Sequence, residues 1–207
     1  MKKLTEEQVQ EHRYYYVRSK MITSKRTDMK KLTREQVQEY KNRFNANKSI
    51  AYSDFSNVDL HEVNFSQLDM RGCIFTGANM RDCVLTGADL EGANFTGANL
   101  EDACLDRTNC EGANFTGANL KDTCFTGAFC PKAIFASANM QDCEFKRVDA
   151  RHADFTDASC QQMFCLQTDF DYAVFTDADF TDAHFTCCDL LNVDKTIKNS
   201  LAQIHYA

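Results

Sequence analysis

The chain has 207 residues, of which 43% are hydrophobic and 26% charged, with eight glycines and one proline. That composition excludes a collagen-like or disordered polymer and suits one domain with a short appendage. No stretch approaches the ~20 consecutive apolar residues of a membrane span, and the start, MKKLTEEQVQ, is charged where a secretory signal would be apolar, so a soluble, cytoplasmic protein is expected. The net charge of −7 hides a division: residues 1–50 carry thirteen Lys/Arg against six Asp/Glu, a net +7, whereas residues 51–207 carry ten against 24, a net −14. The acidic part should repel nucleic acid and attract basic proteins.

Residues 1–11, MKKLTEEQVQE, recur as residues 29–39, MKKLTREQVQE, with ten identities in eleven at an offset of 28. In each copy Thr5 or Thr33 stands three residues before Gln8 or Gln36, which is a capping box, and Leu4/Val9 and Leu32/Val37 have the spacing of a hydrophobic staple. Two short helices are expected, roughly over 5–18 and 33–45. The segment 1–50 is therefore read as a basic, duplicated helical unit, different in kind from the rest of the chain.

From Phe55 to Leu190 every fifth residue is apolar or small, through 28 consecutive units without insertion. Thirteen of these central positions are Phe, seven Leu, three Met, four Cys, and one is Ala150. Two residues earlier lies a second small position, most often Ala, so the unit reads as in Ala93-Asn94-Phe95-Thr96-Gly97. A period of five fits neither a helix nor a strand and signals a solenoid over residues 51–193. Every fourth central residue is Phe: Phe55, Phe75, Phe95, Phe115, Phe135, Phe155 and Phe175 form one unbroken ladder, which supports a coil of 20 residues. All eight glycines fall two residues after a central position, and Pro131 falls one residue after Cys130. Pro and then Gly are what the middle of a type II turn prefers, so each unit carries its own corner. After Gly127 glycine gives way to Asp, Gln, Arg or Tyr, which predicts a shift to turns that do not need positive φ. In the remaining segment, 194–207, Asp194 can cap a final helix bearing Ile197, Leu201 and Ile204.

Through Ala98-Asn99-Leu100 and Ala88-Asp89-Leu90 the chain resembles the pentapeptide-repeat family, whose consensus is A(D/N)LXX. The resemblance implies an all-β solenoid, a right-handed quadrilateral β-helix of about seven coils, with the central and small positions pointing inward and short α-helices at the N- and C-terminal ends. At ~4.8 Å per coil the rod would be about 34 Å long. The helix bearing Val37, Tyr40 and Phe44 would then plug the open first coil, whose unpaired edge is otherwise a template for aggregation. The C-terminal helix would lid the last coil, and in several family members such an element also dimerises, so the resemblance allows a homodimer through it.

No catalytic constellation is found. His12, His61, His152, His184 and His205 are scattered, and there is no H-E-x-x-H, phosphate loop or nucleophile elbow, so no enzyme, no metal and no cofactor are expected. Eleven cysteines, never spaced C-x-x-C, read as reduced thiols. Cys110, Cys130, Cys160 and Cys165 are central and Cys73, Cys83, Cys143 and Cys188 occupy the small position, all eight as buried filler. Cys104 and Cys124 instead face outward on adjacent coils, either as two unlinked surface thiols or within disulfide range.

Sorting the outward positions by side exposes an acidic ladder, Glu62, Asp82, Asp102, Asp122, Asp142 and Asp182, interrupted by Gln162. A second column holds Asp69, Asp89, Asp149, Asp169 and Asp189, interrupted by Asn109 and Phe129. Neighbouring carboxylates ~4.8 Å apart repel by about 0.9 kcal/mol even in water, so stability does not favour an unbroken column. The plainer account is turn chemistry, since Asp suits tight turns and Arg81 and Lys121 stand in the adjacent column. The resemblance implies a protein-binding role. Some family members are acidic DNA mimics that occupy the DNA-binding groove of DNA gyrase or topoisomerase IV, without binding nucleic acid themselves. Others are bacterial effectors delivered into host cells by a specialised secretion system with an N-terminal module ahead of the repeats, or interaction scaffolds. The duplicated N-terminal helices suit delivery or partner binding.

Overall fold

The computed structural model describes residues 49–193. The helices expected over 5–18 and 33–45 and the helix expected from Asp194 lie outside the described residues. Every bridge joins residue i to residue i+20 in parallel register, from Ser49–Asp69 at one end to Asp169–Asp189 at the other. The chain thus winds as a right-handed quadrilateral β-helix with four pentapeptides per coil. No loop interrupts it, and Ser49 already belongs to its ladder.

Each pentapeptide contributes a short extended piece and a corner. The central amide donates to a carbonyl of the next coil, as in Phe75 to Asn94 at 2.6 Å, and the preceding residue's amide donates backward, as in Ile74 to Ser53 at 2.9 Å. At the corner a third amide, two residues after the centre, also reaches forward, as in Gly77 to Thr96 at 3.0 Å. These bonds recur along the described rod and use the backbone donors that an open strand edge would leave unpaired.

The inside is nearly continuous hydrocarbon. Every central residue is buried except Phe180, which is partly buried. Phe55, Phe75, Phe95, Phe115, Phe135, Phe155 and Phe175 line the first side with ring centroids 4.8–5.3 Å apart. The coil spacing and the stacking distance of aromatic rings coincide, so one ring per rung satisfies both. Phe125, Phe145 and Phe170 meet that stack edge-on from the neighbouring sides.

The corners correct one expectation. All 28 residues two after a centre, from Tyr52 to Cys187, have φ between 53° and 69°, and 20 of them are not glycine. After Gly127 the conformation does not change; Lys132, Ser137, Asp142 and Arg147 adopt it as Gly127 does. The corner amide must face the next coil's carbonyl, and the left-handed conformation supplies that direction whatever the side chain. Strain is contained by residue choice, because no Val, Ile or Thr occupies any of these 28 corners.

How tightly a corner closes varies along the rod. On the third side the bond closing the turn is 2.8 Å at Ala88 and 3.0 Å at Ala128, but 3.3 Å at Leu68 and Thr108. With Val148, Thr168 and Cys188 in that position no such bond forms. There the backbone stays extended for three residues instead of one, giving β1 (Glu144–Lys146), β2 (Phe164–Leu166) and β3 (His184–Thr186). These three pair in parallel in the order β1-β2-β3.

The small-position cysteines are more than filler. Cys73, Cys83 and Cys143 donate their thiols to the carbonyls of Ile50, Leu60 and Leu120 at 2.9–3.1 Å, each 23 residues earlier. Thr123 and Thr168 do the same with hydroxyls, to Leu100 and Phe145. Cys188 departs from the expectation in a second way, being only half-buried beside the opened corner.

Candidate functional site

The two acidic columns differ in backbone position, and that decides their chemistry. Asp69, Asp89, Asp149, Asp169 and Asp189 sit on the flat of the fourth side, one residue before a centre, and are successive bridge partners together with Asn109 and Phe129. From there a carboxylate folds back over the following corner. Asp69, Asp89, Asp149, Asp169 and Asp189 accept the amides of Arg71, Glu91, Arg151, Asp171 and Leu191 at 2.9–3.3 Å. This is the Asx-turn, and it consumes one acceptor per rung.

Arginines take up most of the rest. Arg71 grips Asp69 through two nitrogens at 2.9 and 3.0 Å and reaches Asp89 at 3.4 Å. Arg151, further along the same side, repeats the arrangement on Asp149 at 2.9 and 2.6 Å and on Asp169 at 3.7 Å. Asn109 donates to Asp89 at 2.9 Å. The Arg71 guanidinium holds the Asp69 carboxyl down at about 2, and Arg151 lowers Asp149 in the same way. Much of this column's charge is consumed within the rod.

Glu62, Asp82, Asp102, Asp122, Asp142 and Asp182, with Gln162, stand at the corners after the second side, each in the left-handed conformation. A corner side chain points away from the axis, and among Asp82, Asp102, Asp122, Asp142 and Asp182 none caps a backbone amide. Partial neutralisation comes from the adjacent column. Arg81 lies 3.1 Å from Asp102 and 3.5 Å from Asp82, and Lys121 lies 3.5 Å from Asp122. No Lys or Arg pairs with Asp142 or Asp182 among the described residues. The flat beside this column is uncharged through its middle, where Asn119 donates to Asn99 and Asn139 to Asn119, both at 3.0 Å. Residues 49–193 hold eight Lys/Arg against 23 Asp/Glu, a net −15.

Sequence reasoning brought these acids into columns but did not separate the capping column from the projecting one. The signal was present: a residue one before a centre can cap a corner, and one two after it cannot. Sequence reasoning also missed the donor role of the small-position thiols, which the interchange of Cys with Thr at that position would have suggested.

The family model for pentapeptide repeats matches the chain in eight copies within residues 53–92, 93–129, 133–164 and 165–194. The chain belongs to the pentapeptide-repeat family. Among solved structures, this pentapeptide-repeat chain is similar to trypsin-treated QnrB1, a plasmid-mediated fluoroquinolone resistance protein. The two share 17% identity over 75% of this chain and 86% of that one, with a TM-score of 0.60. HetL of the cyanobacterium Nostoc, involved in heterocyst differentiation regulation, is 19% identical over 70% of this chain and 77% of that one, with a TM-score of 0.39. A pentapeptide-repeat protein of the Arabidopsis thaliana thylakoid lumen is 17% identical over 76% of this chain and 77% of that one, with a TM-score of 0.25. The likeness to QnrB1 is one of fold. No curated protein matches the sequence. Among the described residues no helix is long and apolar enough to cross a membrane, and no group of metal-ligating side chains converges.

Proposed function

We propose that the chain is a non-enzymatic protein-binding rod that uses the corner column Glu62, Asp82, Asp102, Asp122, Asp142 and Asp182 as a stand-in for a phosphate row. The observation that carries this reading is the column's position: Asp82, Asp102, Asp122 and Asp142 project from consecutive left-handed corners, at ~4.8 Å intervals, without capping the backbone. A row of that kind complements a basic groove built for duplex DNA, and the candidate partners are DNA gyrase and topoisomerase IV. The fold likeness to QnrB1 and the family's DNA mimics support the choice. The fourth-side column, already tied to Arg71 and Arg151, takes a secondary part. The working compartment is taken as reducing and cytoplasmic.

The test is competition. Purified protein should displace DNA from gyrase or topoisomerase IV at low salt, and displacement should weaken steeply as salt rises because association rests on charge. Reversing Asp122 and Asp142 to Lys should abolish displacement without unfolding the rod, since Lys132, Arg107 and Arg147 already occupy corners of the same conformation. Failure of the unmodified protein to displace DNA at low salt removes topoisomerase mimicry. Loss of a protein partner on deletion of residues 1–28, with no response to the reversal, would instead favour a scaffold or effector acting through the basic N-terminal segment, net +7 over residues 1–50.

A further inference from the structure

Cys104 and Cys124 occupy consecutive rungs on the outside of the third side and are bridge partners in parallel register, followed in the same column by Glu144. Both are half-buried, and all eleven cysteines are free thiols. The Leu105 amide donates to the Cys124 carbonyl at 2.7 Å, so the rungs keep ordinary pairing. Paired rungs lie ~4.8 Å apart, inside the roughly 4.4–6.8 Å between Cα atoms that a disulfide spans.

The two sulfurs have different neighbours. Cys104 Sγ lies 3.3 Å from the Thr86 hydroxyl. The Cys124 thiol is directed at Glu144 Oε2, 3.5 Å away, and that carboxylate is held by Lys146 at 2.8 Å. Burial, together with the carboxylates of Glu144 and Asp106, pushes the Cys124 thiol up to about 12, which keeps it protonated near neutral pH. Cys110 and Cys130 share the same 20-residue offset but are fully buried. Cys104–Cys124 is therefore the pair in this register that solvent can reach.

We propose that Cys104 and Cys124 form a reversible thiol–disulfide site, with Cys104 as the attacking thiol and Cys124 as the resolving one. The oxidant class is a small-molecule disulfide such as glutathione disulfide. Cys104 thiolate attacks one of its sulfurs, forming a mixed disulfide and releasing one glutathione thiolate. The small thiolate fraction of Cys124, its proton passed to solvent, then attacks Cys104 Sγ, forming the Cys104–Cys124 bond and releasing the second glutathione. Two protein thiols are oxidised and one glutathione disulfide is reduced to two glutathiones. Proximity drives the second step, since the resolving sulfur is one rung away. Straight parallel rungs hold Cβ atoms ~4.8 Å apart where a relaxed disulfide prefers about 3.8 Å. The rungs must pinch to close the bond, and a strained disulfide that solvent can reach is readily reduced again.

The experiment is to incubate the reduced full chain with glutathione disulfide at neutral pH, quench by alkylation and map peptides by mass spectrometry. The free thiols of Cys104 and Cys124 should both be lost, with a peptide linked through Cys104 and Cys124 that disappears on treatment with dithiothreitol. Cys124→Ser should retain one glutathione on Cys104, whereas Cys104→Ser should take up none on Cys124 in the same time. Persistence of both thiols under conditions in which exposed Cys187 takes up glutathione overturns the proposal. A disulfide formed elsewhere, as between Cys187 and Cys188, while Cys104 and Cys124 stay unlinked overturns it equally. The unmodified chain's map decides the matter even where a variant fails to fold.

Discussion

The fourth-side acids and the corner acids are the same residue type at the same rung spacing, yet they do different work. On the fourth side each aspartate bends over the next corner, accepts an amide and, at Asp69 and Asp149, meets an arginine fork. At Asp82, Asp102, Asp122, Asp142 and Asp182, on the corners after the second side, the left-handed backbone turns the side chain away from the coil, and the carboxylate is left to solvent or to Arg81 and Lys121. A column of like charge on a solenoid therefore carries no single meaning. Its place within the five-residue unit determines whether it serves the fold or faces a partner.

That comparison presumes a core strong enough for surface columns to be altered without loss of the rod. Phe115 lies in mid-ladder, 4.8 Å from Phe95 and 5.1 Å from Phe135 by ring centroids. Phe115→Ala should cost about 3–5 kcal/mol in urea unfolding, the usual cost of removing a buried Phe. A loss under about 1 kcal/mol would mean that the interior, and with it the difference between the columns, has been misjudged.

Smaller effects of opposite sign should separate the columns directly. Asp149→Ala removes the cap on the Arg151 amide and should destabilise by about 1 kcal/mol. Asp142→Gly relieves a side chain held at φ 58° and should stabilise by about 0.5–1 kcal/mol. Equal effects from the two substitutions, measured as urea midpoints at constant slope, would erase the distinction.

The smallest effect is acid dependence. Asp69 has its folded-state value depressed to about 2 from an ordinary 3.8 by Arg71, so its contribution is present above the ordinary value and lost as pH falls from there through about 2. The pair is partly exposed and screened by solvent, so the expected change is a small drop in urea midpoint between pH 5 and pH 2. Asp69→Asn should lack that component, and an unchanged pH profile in the variant would show that the Arg71 pair does not contribute.

Much was legible in the sequence because a solenoid repeats its local physics. The period of five, the Phe ladder with its 20-residue step, and the corner positions marked by eight glycines all follow from residue identity at fixed spacing. What the tertiary structure alone decided depends on contacts between coils. Tyr52, Arg107 and Asp142 keep the glycine-like conformation because each corner amide has to meet a carbonyl of the next coil, which outweighs the side chain's own preference. The third-side corners open at Val148, Thr168 and Cys188 but close at Leu68 and Thr108, so the opening does not follow from the residue at that position. Whether an aspartate caps, pairs or projects was likewise settled by which backbone amide and which arginine the coil placed beside it, because a carboxylate's chemistry is fixed by its neighbours rather than by its identity.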